Sequence, residues 1–175
     1  MLNIHLATRD DVPALLALIR ELATYEKKRH KAVVTEDDLL RDGFGPHPIF
    51  RALIAEWQGE PVGYASFFHF YSTFLGRPAL FLEDLFVLDQ FRGKGIGKGL
   101  LIHVAGLAVD EGCFGLRWEV LDWNRPAIEF YEKLGATFLN ERKVVSFDSE
   151  TMRRMAEAKT DSATGTQGHR EGNVK

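Results

Sequence analysis

Only one of the 175 residues, Cys113, is a cysteine. That rules out a disulfide within the chain and any metal site built on several thiolates. With no activating residue beside it, Cys113 reads as a small buried hydrophobe and not as a nucleophile. The six histidines (His5, His30, His47, His69, His103 and His169) are scattered without ligand-like spacing, so no metal is expected. No apolar run is long enough to cross a membrane. The first residues lack a charged stretch followed by an apolar one, so no secretory signal is expected, and the expected location is cytoplasmic. Positive charge is also short: the net charge of −3 leaves nothing to neutralise nucleic-acid phosphates and suits cationic partners better.

What is present is the balance of a globular protein, 45% hydrophobic and 27% charged, in a length suited to one domain. We expect a domain over residues 1–150 and an extension over 151–175, disordered from about 156, where large apolar residues nearly vanish. Residues 2–7 read as a strand. Asp10, Pro13 and the spacing of Leu15, Leu18, Ile19 and Leu22 mark a helix that ends near Tyr25–Lys28. Thr35 before Glu36, Asp37 and Asp38 starts a short helix ending at Gly43. Residues 51–57 and 62–71 form a hairpin, and 80–88 a third strand. A helix with Ile96, Leu100, Leu101, Val104 and Leu107 on one face follows, then a strand over 116–121 and a helix from Asn124 to Gly135. Residues 136–139 and 144–147 are expected as a final strand pair. The pattern is α/β: a mixed sheet with helices on its faces.

Between the third strand and its helix lies Arg92-Gly93-Lys94-Gly95-Ile96-Gly97-Lys98-Gly99. Glycine lets backbone approach a ligand closely, and the free N–H groups of a first helical turn bind anions, so a pyrophosphate is the natural guest. A flexible surface turn is the alternative. A Walker loop is excluded because Gly97-Lys98 is followed by Gly99, and no reading frame gives the dinucleotide Gly-x-Gly-x-x-Gly.

Arg92-x-x-Gly95-x-Gly97 resembles the pyrophosphate-binding signature of the GNAT acetyltransferases. Five longer segments extend the likeness: Glu21-Leu22-Ala23-x-Tyr25-Glu26, Asp42-Gly43-Phe44-Gly45-x-His47-Pro48, Leu82-Glu83-Asp84-x-Phe86-Val87, Arg92-Gly93-x-Gly95-Ile96-Gly97 and Trp123-Asn124-x-Pro126-x-x-x-Phe130-Tyr131. Together they resemble diamine acetyltransferases of the spermidine/spermine type, over nearly everything up to about Phe147. The resemblance implies a GNAT fold, mostly antiparallel and splayed where acetyl-CoA, the co-substrate, enters. It also implies direct transfer to a primary amine of a small molecule, and a homodimer. For acetyl-CoA it implies Leu85, Phe86 and Val87, then Arg92, Gly93, Lys94, Gly95, Ile96, Gly97 and Lys98, and Asn124, Pro126 and Ala127.

An alkylamine with pKa near 10.4 is almost wholly protonated at pH 7, and freeing it costs roughly 4.6 kcal/mol, so a base is useful. Glu83 and Asp84 interrupt an apolar run that reads as a buried strand, where carboxylates need a partner or a task. A salt bridge to an arginine remains open for either, and neighbours face opposite ways unless a bulge intervenes. By resemblance Glu83 is the base. Tyr131 is either a core aromatic or, by resemblance, the acid for the departing thiolate. Tyr25 and Glu26 match acceptor positions, joined by Asp84, Glu119 and Glu141; for Glu26 a solvated helix end is the alternative. The sequence departs from the animal polyamine enzymes at Arg142-Lys143, where a Gly-Trp pair is expected. Two cations there would repel a polyamine's distal end, so thialysine-like amino acids and other diamines are rival acceptors. A non-catalytic acetyl-CoA sensor and a protein N-acetyltransferase are the remaining functional alternatives.

Overall fold

The computed structural model describes residues 1–141 and 143–164, with side chains to 158. These fall into two compact units, residues 1–124 and residues from 125 onward.

The first unit is built on five strands: β1 (Leu2–Leu6), β2 (Arg51–Trp57), β3 (Glu60–Ser72), β4 (Arg77–Val87) and β5 (Leu116–Trp118). They lie side by side in chain order, antiparallel from β1 to β4, with β5 parallel to β4. Helix α1 (Val12–Tyr25) packs Val12, Leu15, Leu16 and Leu18 on Ala52, Ile54, Tyr64 and Phe86, with Leu39 of α2 (Glu36–Phe44) completing that layer. Alternation along a strand then turns Leu53 and Ala55 to the other face. There α3 (Ile96–Asp110) buries Ile96, Leu100 and Val104. With both faces covered, β2 and β3 are apolar without interruption, from Ala52 to Ala55 and from Val62 to Ala65.

The expected helices of this unit sit where their signals are. Thr35 and Asp38 close a reciprocal capping box at 3.2 and 3.1 Å. Ahead of α1 the cap position is Asp11, one residue later than expected, because a short 3-10 turn over Arg9–Asp11 comes first, and the Asp11 carboxylate caps that turn by taking the Thr8 N–H at 2.7 Å. Gly99 serves packing: a Cβ there would come within 2.8 Å of Ile4 Cδ1, so the glycine lets α3 approach β1.

Two features shape β4. Its pairing with β3 slips between Ser66 and Phe67, which face Asp84 and Leu82, leaving Glu83 as the extra residue of a bulge. Its pairing with β5 stops at Leu82–Trp118, while β4 runs on to Val87. The bulge bends β4 just past its last pair with β5. That is why β5 ends at Trp118 instead of the expected residue 121, and why the sheet opens there.

The second unit holds α4 (Arg125–Lys133) and α5 (Ser149–Thr164). Gly135 at φ 83° ends α4, with Ala136 and Gly135 N–H groups returning to the carbonyls of Tyr131 and Glu132. The expected strands at 136–139 and 144–147 are not formed. Val144, Val145 and Phe147 are exposed and have no ladder, and alternation without a partner strand does not hold a strand together. The expected disorder from 156 is not met over 156–164, which continue α5. Ala, Glu, Lys and Met favour helix without needing a core.

Candidate active site

The end of α1 is set by an uncommon residue. Lys27 takes the left-handed conformation at φ 58°, and the N–H groups of Lys28 and Lys27 return to the carbonyls of Ala23 and Thr24. This closes the helix as a Schellman turn with lysine where glycine is usual. The turn fixes Tyr25 and Glu26 beside the bulged end of β4. Glu26 holds the Lys28 ammonium at 3.0 Å.

At the bulge, Asp84 lies on the α1 side of the sheet with its β3 neighbours Tyr64 and Ser66. The Ser66 hydroxyl donates to Asp84 Oδ2 at 2.8 Å. Burial pushes the Asp84 carboxyl up, the hydroxyls of Ser66 and Tyr64 oppose that rise, and the charge of Glu26 adds to it. Tyr64 is wholly buried and its hydroxyl makes no hydrogen bond of ordinary geometry. It nevertheless lies close enough to Asp84, Glu26 and Glu83 that burial, then those charges, raise its pKa well above 10. Glu83 is more exposed, and it too is pushed up, first by desolvation, then by Asp84 and Glu119. Glu119 lies one residue past β5 and is exposed.

The structure therefore brings Glu26, Glu83, Asp84 and Glu119 into one electrostatic neighbourhood at the mouth of the splay. No arginine partners Glu83 or Asp84 among the described residues, so the salt-bridge alternative is not what is observed. Such a set stabilises a cation, and each raised carboxyl is a better proton acceptor than a free one. Tyr64 and Ser66 were not among the expected site residues. The available signal was a serine inside an otherwise apolar run.

Arg92 differs from a side chain held only for phosphate. Its Nε donates to Val87 O at 3.0 Å, Nη2 meets Asp89 Oδ1 at 2.8 Å, and the guanidinium lies 4.4 Å from the centre of the Tyr25 ring. The Tyr25 hydroxyl donates to Asn124 Oδ1 at 3.0 Å, and its ring lies 5.9 Å from Trp123 and 6.5 Å from Phe86. The remaining loop is open: Gly93, Lys94 and Gly95 are exposed, Gly93 and Gly95 have φ of 77° and 82°, and α3 starts at Ile96. The N–H groups of a helix's first turn have no intrahelical partner, so the loop suits a pyrophosphate. Lys94 leans on Trp57 and Phe91, and Lys98 is exposed. The backbone of β4 beyond Leu82, Leu85, Phe86 and Val87 included, has no ladder on its β5 side and suits an extended amide-bearing arm. These residues fit a CoA chain.

Pro126, Ala127, Tyr131 and Glu141 belong to the second unit. Tyr131 is buried, packs its ring 5.2 Å from Phe130, and burial pushes its hydroxyl up to about 12. Glu141 is exposed. Arg142 lies outside the described residues. Cys113 is half-buried, and burial followed by the Glu111 charge pushes its thiol up, away from the thiolate a nucleophile needs. His69, Glu111 and Cys113 bring ligand atoms within 4.8 Å of one another. Both Glu111 oxygens, however, are engaged by Arg51 at 2.6 and 2.8 Å, so this is an ion-pair network on the far side of β3. No helix among the described residues is long and apolar enough to cross a membrane.

Residues 13–136 match the model of the acetyltransferase (GNAT) family. A thialysine N-epsilon-acetyltransferase of Sus scrofa is 41% identical over 161 residues, covering 86% of this chain and 94% of the other. A spermidine/spermine N(1)-acetyltransferase-like protein of Homo sapiens is 35% identical over 88% of this chain and 24% of its own length. Among solved structures, an integron cassette protein of V. cholerae superposes with a TM-score of 0.77 at 26% identity, over 89% of this chain and 98% of that one. The open, mixed sheet with its helices agrees with the expected fold.

Proposed function

The chain belongs to the acetyltransferase (GNAT) family, and on that footing we propose that it carries an acetyl group from acetyl-CoA to the primary amine of a small, multiply charged molecule. A thialysine-like amino acid or a short diamine is the acceptor class. The observation that carries this reading is the cluster of Glu26, Glu83, Asp84 and Glu119 at the point where β4 leaves β5, one turn before the glycine-rich loop. Residues 1–150 act as one catalytic domain, since the family match runs across both units.

In the proposed reaction the ammonium enters a pocket of carboxylates. Glu83 accepts a proton from it, directly or through water, and the freed nitrogen lone pair attacks the thioester carbonyl. A C–N bond forms, the C–S bond breaks, the sulfur leaves with its electron pair, and the nitrogen gives its second proton to water as it becomes the neutral amide. Tyr131 donates a hydrogen bond to that sulfur. Proton transfer from a hydroxyl near 12 to a thiolate near 8.5 is uphill by about 5 kcal/mol, so hydrogen bonding, not complete transfer, is its contribution. No acetyl-enzyme forms, because Cys113 stays a thiol. Asp84, Glu26, Glu119 and Glu141 hold the acceptor's charges, with Tyr25 next to Glu26 at the end of α1. Leu85 to Val87, the Arg92–Lys98 loop, Asn124, Pro126 and Ala127 hold the CoA chain. The setting is the cytoplasm and the working form a homodimer, joined at the exposed hairpin tip of Tyr71, Phe74 and Leu75. Sedimentation giving only monomer at micromolar protein would sink the dimer.

The test is thiol release from acetyl-CoA with thialysine, lysine, ornithine, putrescine, spermidine and an N-terminal peptide. We expect release with thialysine or a diamine, reduced at least about tenfold by Tyr131→Phe and about a hundredfold by Glu83→Gln. Release with the peptide alone would turn the reading to protein acetylation. Tight acetyl-CoA binding with no release would turn it to a sensor.

A further inference from the structure

Tyr25 sits on the acceptor side by its neighbours in sequence, yet both ends of its side chain are held by residues of the cofactor side. Its ring face is covered by the Arg92 guanidinium at 4.4 Å, and Arg92 opens the glycine-rich loop. Its hydroxyl is spent on Asn124 Oδ1 at 3.0 Å, directly before α4. Trp123 and Phe86 flank the ring. A tyrosine so enclosed has little left to offer an acceptor directly. What it can do is fix the helix end that carries Glu26, the next residue, whose charge acts on Asp84 and Tyr64.

We propose that Tyr25 is a positioning residue that couples the two sites, so that CoA bound at the glycine-rich loop tightens the hold on the amine. The proposal rests on the N-acetyltransferase reading above. The physical route is short. Arg92 is tied to Val87 O on one side and to Asp89 on the other, and Asp89 is an exposed carboxylate that water already screens. A pyrophosphate arriving beside the loop offers the guanidinium a stronger partner than Asp89 does. Arg92 is then held by two fixed groups, with the Tyr25 ring under it. CoA contacts near Asn124 restrain the acceptor of the Tyr25 hydroxyl in the same way. With both anchors restrained, Glu26 is presented in one position and the amine no longer has to order it. Stacking on an aromatic face is a property of guanidinium that ammonium does not reproduce, so arginine is the residue this device needs.

The experiment is calorimetric titration of the full chain with thialysine, with and without saturating CoA, which cannot donate an acetyl group. Wild type, Tyr25→Phe and Arg92→Lys are compared. In wild type, CoA should tighten thialysine about tenfold, and thialysine should tighten CoA by the same factor, because coupling is reciprocal. Tyr25→Phe, which keeps the ring and loses only the bond to Asn124, should reduce that factor to about threefold or less while CoA alone binds within about twofold of wild type. Arg92→Lys should also reduce the coupling. A wild-type factor near one would overturn the proposal. So would full coupling in both variants, or thialysine weakened equally with and without CoA, which marks a plain contact residue. If neither thialysine nor spermidine binds wild type in any condition while CoA does, the acceptor reading itself falls and takes the coupling with it.

Discussion

Ser66→Ala should destabilise the protein more at neutral pH than in acid, because the lost hydroxyl serves an ionised carboxylate. Ser66 is buried and donates to Asp84 Oδ2 at 2.8 Å. A hydrogen bond to a charged group contributes about 1.5–3 kcal/mol and one between neutral groups about 0.5–1.5. The cost of the substitution should therefore be about 2 kcal/mol where Asp84 is ionised and about 1 kcal/mol where it is not. The difference equals a further rise of Asp84's pKa by roughly one unit. Asp84 already titrates higher in the folded chain than in the unfolded one, through burial. Between those two pKa values the folded state binds more protons, so stability falls as pH rises through the window and is highest below the unfolded value of about 3.9. Ser66→Ala pushes the upper edge of that window higher. Urea unfolding of both proteins across a pH series, with equal slopes, gives the cost at each pH. A cost independent of pH, or greatest in acid, would show that Ser66 does not support an Asp84 carboxylate.

Other outcomes follow from single groups. Glu83 must lose its proton to act, so kcat should fall as pH drops through its raised pKa, and Glu83→Gln should remove that acid limb together with about a hundredfold of rate; an unchanged limb would assign it elsewhere. Gly95 has φ of 82°, so Gly95→Ala should cost about 1–2 kcal/mol in thermal unfolding and raise KM for acetyl-CoA more than KM for the amine. Glu111 is held below the usual carboxylate range, chiefly by its hydrogen bonds from Arg51. Its stabilisation is present above the unfolded value of about 4.3 and lost as pH falls through the folded one, and Glu111→Gln should cost about 1 kcal/mol at neutral pH without changing kcat.

Elements whose information is local were legible from the chain. Thr35 and Asp38 cap α2 with atoms three residues apart, and Gly135 closes α4 through its own conformation, so a few letters suffice for each. The two-sided burial of β2 and β3 likewise appears as unbroken apolar runs. Residues 144–147 failed for the opposite reason. Alternation shows that a segment could present two faces, but a strand also needs a partner edge, and that depends on where the rest of the chain goes. The tail over 156–164 was missed because lack of apolar residues argues against a core, not against a helix.

In the site, chemical identity was legible and partnership was not. Two carboxylates inside an apolar strand signal a task, but whether they point together or apart turns on the bulge at Glu83. That bulge is a property of the pairing between β3 and β4, fixed where Phe67 faces Leu82 instead of Glu83. Once it is in place, Asp84 falls on the face of Ser66 and Tyr64, while Glu83 stays free to look toward Glu119. The two acids are thereby divided. Asp84 is half-buried and hydrogen-bonded, suited to holding a charge in place. Glu83 is exposed enough to exchange a proton with a ligand or with water. Arg92 teaches the same point from the other side. Its letter in an Arg-x-x-Gly-x-Gly signature announces a phosphate, yet its position over Tyr25 depends on α1 ending at a lysine in left-handed conformation some 65 residues earlier, at position 27. A sequence names the groups that can react, and only the register between strands and the exact end of a helix decide which of them meet.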